Sequence, residues 1–283
     1  MIDFNNIKEP YFIGEIGINH NGDLQIAKKL IDAVYSCGWH CAKFQKRNPD
    51  VAVPEKQKGI KRDTPWGRMT YIDYKYKVEF GKNEYDHINQ YCKQKPMHWS
   101  LSVWDLDSLE FFVQYDDLPF IKIPSAMVTN NELVKASAQT GYPILMSTGM
   151  STLKEIDKAV ELLEQHAKSY AIMHCNSSYP TKNEELNLNV IPMLKERYNC
   201  TVGYSGHEYD LEPTVIAAVL GAKIIERHIT ISHKMWGTDQ KASLEVHAMD
   251  MLKKRIQDID IMLGDQVKDI TESEKPIREK LRG

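Results

Sequence analysis

Short runs of apolar and β-branched residues recur along the chain, each followed by a polar turn and a stretch whose apolar positions have helical spacing. The runs are YFIGEIG from Tyr11, HCAKFQK from His40, HWSLSVW from His98, FIKIPSA from Phe120, PILMSTG from Pro143, AIMHCNS from Ala171, TVGYSGH from Thr201 and KIIERHI from Lys223. Their nearly continuous apolar interiors are what a parallel strand covered on both faces requires. Helix signals lie between them. Asp23 stands at an N-cap position, Leu24, Ala27, Leu30, Ile31 and Val34 share one face, and Gly38 ends the helix. Thr129 with Glu132, and Thr152 with Glu155, have capping-box spacing. Leu252, Ile256, Ile259 and Leu263 form a stripe on the last helix, stopped by Gly264. Eight strand–helix units in succession predict an α/β fold, a (β/α)8 TIM barrel, as a single domain over residues 1–264. An open doubly wound sheet is the alternative. The lack of GxGxxG after the first strand argues against its dinucleotide-binding form.

Two segments break the rhythm. Residues 47–82 follow the second strand and are too long for an ordinary connection. They carry Lys61, Arg62, Trp66, Arg68, Tyr71, Tyr74 and Tyr76, which predicts a lid or binding loop. Residues 265–283 are polar and predict a solvated tail.

Composition narrows the classes. The 283 residues suit one barrel of about 250 residues. A net charge of −3 with no long basic run argues against nucleic acid as a partner. No apolar stretch approaches the ~20 residues that span a bilayer, and the first residues lack a basic-then-apolar leader pattern. The cysteines, Cys37, Cys41, Cys92, Cys175 and Cys200, form no CxxC pair and read as reduced thiols, hence an expected cytoplasmic location.

Chemistry in a barrel of this type sits at the C-terminal ends of the strands. Polar residues gather there strand after strand: Glu15, Asn19 and His20; Lys43 and Gln45; Ser102; Lys122 and Ser125; Ser147, Thr148 and Gly149; His174, Asn176, Ser177 and Tyr179; Tyr204, Ser205 and His207; Glu226, Arg227 and His228. Lysine, glutamate and histidine are rarely buried without partners, so such a set needs mutual pairing or a charged ligand. Two lysines with several hydroxyls suit a phosphate ester that also carries a carboxylate. Gly149, at a strand-to-helix turn, is expected to add a backbone N–H. Glu15 and Glu226 are candidates for proton transfer or for orienting a polyol. His207 and His228 end successive strands and have two readings: an open site for Mn, Co or Mg, or hydrogen bonds to a carboxylate such as Glu226 or Asp239. His20 and His174 read as structural.

EIGINHNGD from Glu15, KFQ from Lys43, KIPSA from Lys122, MSTGMST from Met146, HCNSSYPT from His174, GYSGHE from Gly203, ERHIT from Glu226 and WGTDQKASLE from Trp236 resemble the sialic acid synthases, whose relatives make legionaminic and pseudaminic acids. The resemblance runs in order from about Tyr11 to about Lys275. It implies a (β/α)8 barrel with a divalent metal of the Mn type (Mg or Co being possible substitutes), condensing phosphoenolpyruvate with N-acetylmannosamine or a related N-acyl sugar. Position by position, it implies His207 and His228 as metal ligands. It places Lys43, Lys122, Ser102, Ser125, Ser147, Ser177 and Ser205 at phosphoenolpyruvate positions. Glu15, Gln45, Tyr179, Glu226 and Asp239 fall where the family handles the acceptor sugar, the attacking water or protons. Many members carry a C-terminal antifreeze-like domain that supplies an arginine to the sugar's acyl group. This chain ends at Gly283, so the expectation is a short form whose second loop (Arg62, Trp66, Arg68) or a separate protein takes over that role. Met127 stands where some members have a glutamate, and Ser177 where an asparagine is common. A homodimer is expected. Two other readings remain: a synthase of another 3-deoxy-ulosonic acid from a different aldose or sugar phosphate, and a non-catalytic sugar-sensing barrel.

Overall fold

Eight apolar runs can bury both faces only if the sheet they form is covered by helices outside and filled by side chains inside. In a computed structural model, which describes residues 1–282, the chain does this. The strands are β1 (Tyr11–Gly17), β2 (Cys41–Lys46), β3 (His98–Val103), β4 (Ile121–Ile123), β5 (Ile144–Ser147), β6 (Tyr170–Cys175), β7 (Thr201–Gly206) and β8 (Ile224–Thr230). Each begins within a residue of the run that marks it in the sequence. All pair in parallel with their neighbours in order, and β8 returns to β1 from Tyr11↔Ile224 to Glu15↔His228. That closure rules out the open sheet and leaves a (β/α)8 barrel.

The two-residue repeat of a strand decides what each layer holds. Phe12, Phe44, Leu101, Ile121, Met146 and Ile172 belong to the cluster packed between strands and helices. Tyr11, Ile13, Cys41, Phe120, Leu145, Met173 and Ile224 fill the lower barrel, together with Phe4 from a short turn (Phe4–Asn6) at the N-terminal mouth. Gly203 is required in that layer, because a Cβ there would meet the Ile224 carbonyl at 2.6 Å. Higher up, the same inward face changes to Glu15, Lys43, Ser102, Lys122, Ser147, Cys175, Ser205 and Glu226, all buried. The apolar layers, at about 1.5–3 kcal/mol for each large side chain fully buried, stabilise a barrel whose upper layer is charged.

The outer helices are α1 (Leu24–Ser36), α2 (Lys82–Gln94), α3 (Leu106–Phe112), α4 (Asn131–Gln139), α5 (Leu153–His166), α6 (Val190–Tyr198), α7 (Glu212–Val219) and α8 (Val246–Gln257). Asp23 caps α1, accepting from the Gln25 N–H at 2.7 Å, and Gly38 follows the helix at φ +64°. Thr152 and Glu155 form the expected capping box at α5. Two expectations need correction. At α4 the cap is Asn130, not Thr129: its side chain accepts from Leu133 N–H at 3.1 Å, which moves Glu132 one position too early to reach back. The stripe on the last helix breaks at Asp258, which leaves helical conformation (φ −102°, ψ 7°). Leu252, Ile256 and Ile259 remain buried, whereas Leu263, in the separate turn Ile259–Leu263, is 57% exposed.

The long segment after β2 is an ordered insertion. It contains two one-turn helices (Pro49–Ala52, Glu55–Lys58), a hairpin (Lys61–Thr64 with Gly67–Thr70) and a helix (Tyr71–Val78). Tyr74 and Trp66 from it pack edge-on against Trp236 of the loop after β8, with ring centroids 5.2 and 5.8 Å apart. Residues 265–282 are exposed throughout and end in a helix (Lys275–Arg282). No helix among the described residues is long and apolar enough to cross a membrane. All five cysteines are free.

Candidate active site

The inward positions of the upper layer come from different strands, and parallel register brings them level. Glu15 is paired in register with both Lys43 and His228, Ser102 with Lys122, and Ser205 with both Cys175 and Glu226. The result is a charged quartet at the floor of a cavity of about 190 Å³ at the C-terminal mouth. The Lys43 ammonium contacts the Glu15 carboxylate, donates to Ser102 Oγ at 2.8 Å and lies 3.6 Å from Glu226 Oε2. Lys122 donates to Ser147 Oγ at 2.7 Å and to Glu226 Oε1 at 2.9 Å, and Ser205 donates to the same oxygen at 3.0 Å. Gln45 donates to Glu15 Oε1 at 2.8 Å. Two ammoniums and two carboxylates balance in charge. Lys43 contacts Glu15 through Oε2, whereas Glu226 Oε2 makes no hydrogen bond among the described residues.

The quartet splits its carboxylates. Burial pushes Glu15 above the usual carboxylate range, against the pull of Lys43. Burial also works upward on Glu226, but Lys122 and Lys43 outweigh it and hold the group down at about 2. Burial lowers the Lys122 ammonium, with the Glu226 charge opposing. Lys43 is also buried, yet the charges of Glu15 and Glu226 carry it above the ordinary lysine value.

His207 and His228 stand above the quartet with ring centroids 5.4 Å apart, and the Tyr179 ring lies 4.1 Å from that of His207. His207 Nδ1 donates to the Asn176 carbonyl at 2.6 Å, and the residue lines the cavity. His228 is 4% exposed, and its Nδ1 has no hydrogen-bond partner among the described residues. Burial lowers His228 to about 3, so this ring is a neutral imidazole. Burial also opposes charge on His207, but the neighbouring Cys175 and the Asn176 carbonyl hold its value above the usual one. The reading in which these rings bond Glu226 or Asp239 is not what the structure shows. Two neutral-capable imidazoles, one with an orphaned buried nitrogen, fit the donor set of a divalent cation that completes its shell with oxygens. No cluster of three or more His, Cys, Asp or Glu suited to a metal occurs among the described residues.

The same cavity brings together Ser125, Ser147, Ser177 and Tyr179 with the quartet. Asp239 is the exception among the sequence candidates: it lines a neighbouring cavity, which it shares with Gln45 and Tyr179. A second correction concerns Gly149. Helix α5 starts only at Leu153, and the Gly149 N–H is taken by Ser125 Oγ at 3.0 Å rather than free for a ligand. A Cβ at Gly149 would meet Ser177 Oγ at 2.4 Å and Ser125 Oγ at 2.9 Å, so the glycine holds the two serines close. His20 stacks on Phe80 at 3.9 Å and His174 bonds the Leu186 carbonyl at 2.7 Å, both structural as expected. Cys175 and Trp104 line the cavity and were missed by sequence reasoning. Cys175 was legible from its inward phase on β6, two residues after Met173, whereas nothing in the sequence marks Trp104. Beneath His207, Glu208 and Arg227 form a buried ion pair at 2.9 Å, shared with Thr214 and Tyr204.

Comparison with known proteins matches residues 30–268 to the NeuB family. The N-acetylneuraminate-9-phosphate synthase of Drosophila melanogaster is 37% identical over 256 residues, which are 88% of this chain and 68% of that protein. The N,N'-diacetyllegionaminic acid synthase of Campylobacter jejuni is 31% identical, over 95% of this chain and 82% of its own length. Among solved structures, the N-acetylneuraminic acid synthetase of Leptospira borgpetersenii, crystallised with citrate, superposes with a TM-score of 0.86 at 28% identity, covering 99% of this chain and 97% of that one. With barrel, rim chemistry and sequence in agreement, this chain belongs to the NeuB family.

Proposed function

We propose that the chain condenses phosphoenolpyruvate with the aldehyde form of an N-acylated amino sugar and releases phosphate, as a nonulosonic acid synthase of the sialic acid type. The observation that carries this reading is the convergence of Lys43, Lys122, Glu15 and Glu226 with His207 and His228 on one mouth of the barrel. In the reaction, carbon 3 of phosphoenolpyruvate bonds to the aldehyde carbon, water adds to carbon 2, and the tetrahedral intermediate loses phosphate by C–O cleavage. Lys122 with Ser147, and Lys43 with Ser102, are placed to hold the anion while its charge shifts. Glu226, held ionised, keeps both ammoniums protonated and aimed. Glu15 has the raised carboxyl, which suits it to exchange a proton with the attacking water. His207 and His228 would hold a divalent cation, Mn²⁺ first, which when bound supplies Lewis-acid polarisation of the aldehyde oxygen.

Phosphate release from phosphoenolpyruvate, measured with Mn²⁺ and a panel of N-acyl mannose-type sugars, tests the reading. Acceptor-dependent release supports it. No release with any acceptor, while metal binding is demonstrated separately, sinks it.

A further inference from the structure

The two imidazoles that face the cavity sit just past the point where the sheet stops holding their strands together. The β7–β8 ladder ends with Arg227 paired to Gly206, and His228 and His207 are the next residues on their strands. A pair of charges continues the link. Glu208 follows His207, Arg227 precedes His228, and both are 0% exposed. Arg227 Nη1 donates to Glu208 Oε1 at 2.9 Å, and Nη2 donates to the Glu208 main-chain carbonyl. The guanidinium therefore holds both the side chain and the backbone of the residue attached to His207. It also donates to Thr214 Oγ1 at 2.8 Å and to the Asp210 carbonyl at 3.2 Å, which tie it to the start of α7. Both carboxylate oxygens are engaged: Oε1 accepts from the Thr214 hydroxyl at 2.6 Å and Oε2 from the Tyr204 hydroxyl at 2.9 Å. The backbone makes room for this group, since a Cβ at Gly206 would meet the two oxygens at 2.6 and 2.7 Å. On their outer sides the histidines have separate anchors. The Thr181 N–H donates to the His207 carbonyl at 3.1 Å, and His228 pairs in register with Glu15 of β1. The Glu208–Arg227 pair spans the gap between them.

We propose that Glu208 and Arg227 are positioning residues: a buried clasp that fixes the separation of His207 and His228 and so sets the affinity of the cation site they form. The inference rests on the proposed function, in which these rings hold the metal, and deepens it. Neither residue lines the cavity, because alternation along the strand turns Arg227 away from the inward face of Glu226 and His228. A buried ion pair is a weak source of stability, since desolvation consumes most of its attraction and apolar side chains could fill the same space. What it supplies is direction: the planar fork fixes the backbone beside His207 against the strand that carries His228. Groups that orient metal-binding histidines govern affinity without touching the ion.

The test measures the Mn²⁺ dissociation constant by electron paramagnetic resonance of the free ion, and the visible absorption of bound Co²⁺. The proteins compared are the native chain, Glu208→Gln, Tyr204→Phe and Leu163→Ala. Leu163 is buried on α5 in the outer layer, so its truncation is a control that lowers unfolding stability away from the rim. Glu208→Gln is expected to weaken Mn²⁺ binding by at least about tenfold and to change the Co²⁺ spectrum, with a smaller loss in Tyr204→Phe. Leu163→Ala is expected to melt at a lower temperature and still bind both ions as the native protein does. Native affinity and spectrum in Glu208→Gln overturn the clasp and leave the synthase reading intact. An equal loss of affinity in Leu163→Ala also overturns it, since the effect would then be one of stability alone. If Glu208→Gln does not fold, Tyr204→Phe decides by the same criteria. A native protein that binds neither ion overturns the cation site and the clasp together.

Discussion

Replacing Glu226 by glutamine removes one charge from a buried quartet at almost constant volume. The carboxylate lies 2.9 Å from the Lys122 ammonium and 3.6 Å from that of Lys43. At an effective dielectric of about 20, these attractions are worth about 6 and 5 kcal/mol. Two terms oppose the loss: the neutral amide is cheaper to bury, and Glu15 is relieved of a repelling neighbour. The expected net cost is that of breaking a buried ion pair, about 3–5 kcal/mol. Urea unfolding followed by circular dichroism reads it directly, native protein against Glu226→Gln, with Ser205→Ala as a graded control that removes a single hydrogen bond and costs about 1 kcal/mol. Phosphoenolpyruvate is expected to stabilise the variant by a larger increment than it does the native protein, since its negative charge replaces the missing one. A cost below about 1 kcal/mol would refute the reasoning: the lysines would then draw their stability from elsewhere, and the quartet would not be a coupled unit.

Other outcomes follow from the same geometry. Glu226 ionises at about 2 in the fold and near 4.5 when unfolded, so its contribution is complete above the unfolded value and lost as pH falls toward the folded one. Stability measured from pH 5 down to pH 3 is expected to fall less steeply in Glu226→Gln than in the native protein, and parallel slopes would contradict this. Gly149→Ala pushes Ser177 and Ser125 apart and is expected to raise KM for phosphoenolpyruvate at least about tenfold, the cost of about one displaced hydrogen bond, with an unchanged KM counting against the placement of those serines. Asp23→Ala, far from the chemistry, is expected to lower stability by about 1 kcal/mol through loss of the α1 cap while kcat stays constant.

Strand positions and the inward polar face were readable because a two-residue repeat over apolar runs leaves one solution: Glu15, Lys43, Lys122 and Glu226 each stand two residues beyond an apolar inward neighbour, or at its level across the barrel. The insertion was readable as a break in the strand–helix rhythm but not in its form. Its helices are one or two turns long and its hairpin is polar, so neither shows a period. The burial of Arg47 and Lys75 was invisible for a related reason. A charged residue in a charged segment reads as solvated until the rings of Trp104, Tyr71 and Tyr74 are seen to enclose it. Gly149 shows the limit for backbone groups: which acceptor takes its N–H depends on Ser125 from another strand. Asn130 displaced Thr129 as a cap because two adequate caps were adjacent, and spacing alone does not rank them.

The proposed activity requires that the quartet and the two imidazoles together make a carbon–carbon bond at the expense of phosphoenolpyruvate. Product mass and phosphate yield, measured in one reaction with Mn²⁺ and both the free and the phosphorylated N-acyl sugar, address it most directly. The expected result is one phosphate for each acceptor enlarged by a pyruvate unit, abolished in Lys122→Met. Phosphate released without acceptor enlargement, or a Lys122→Met variant as active as the native protein, would contradict it.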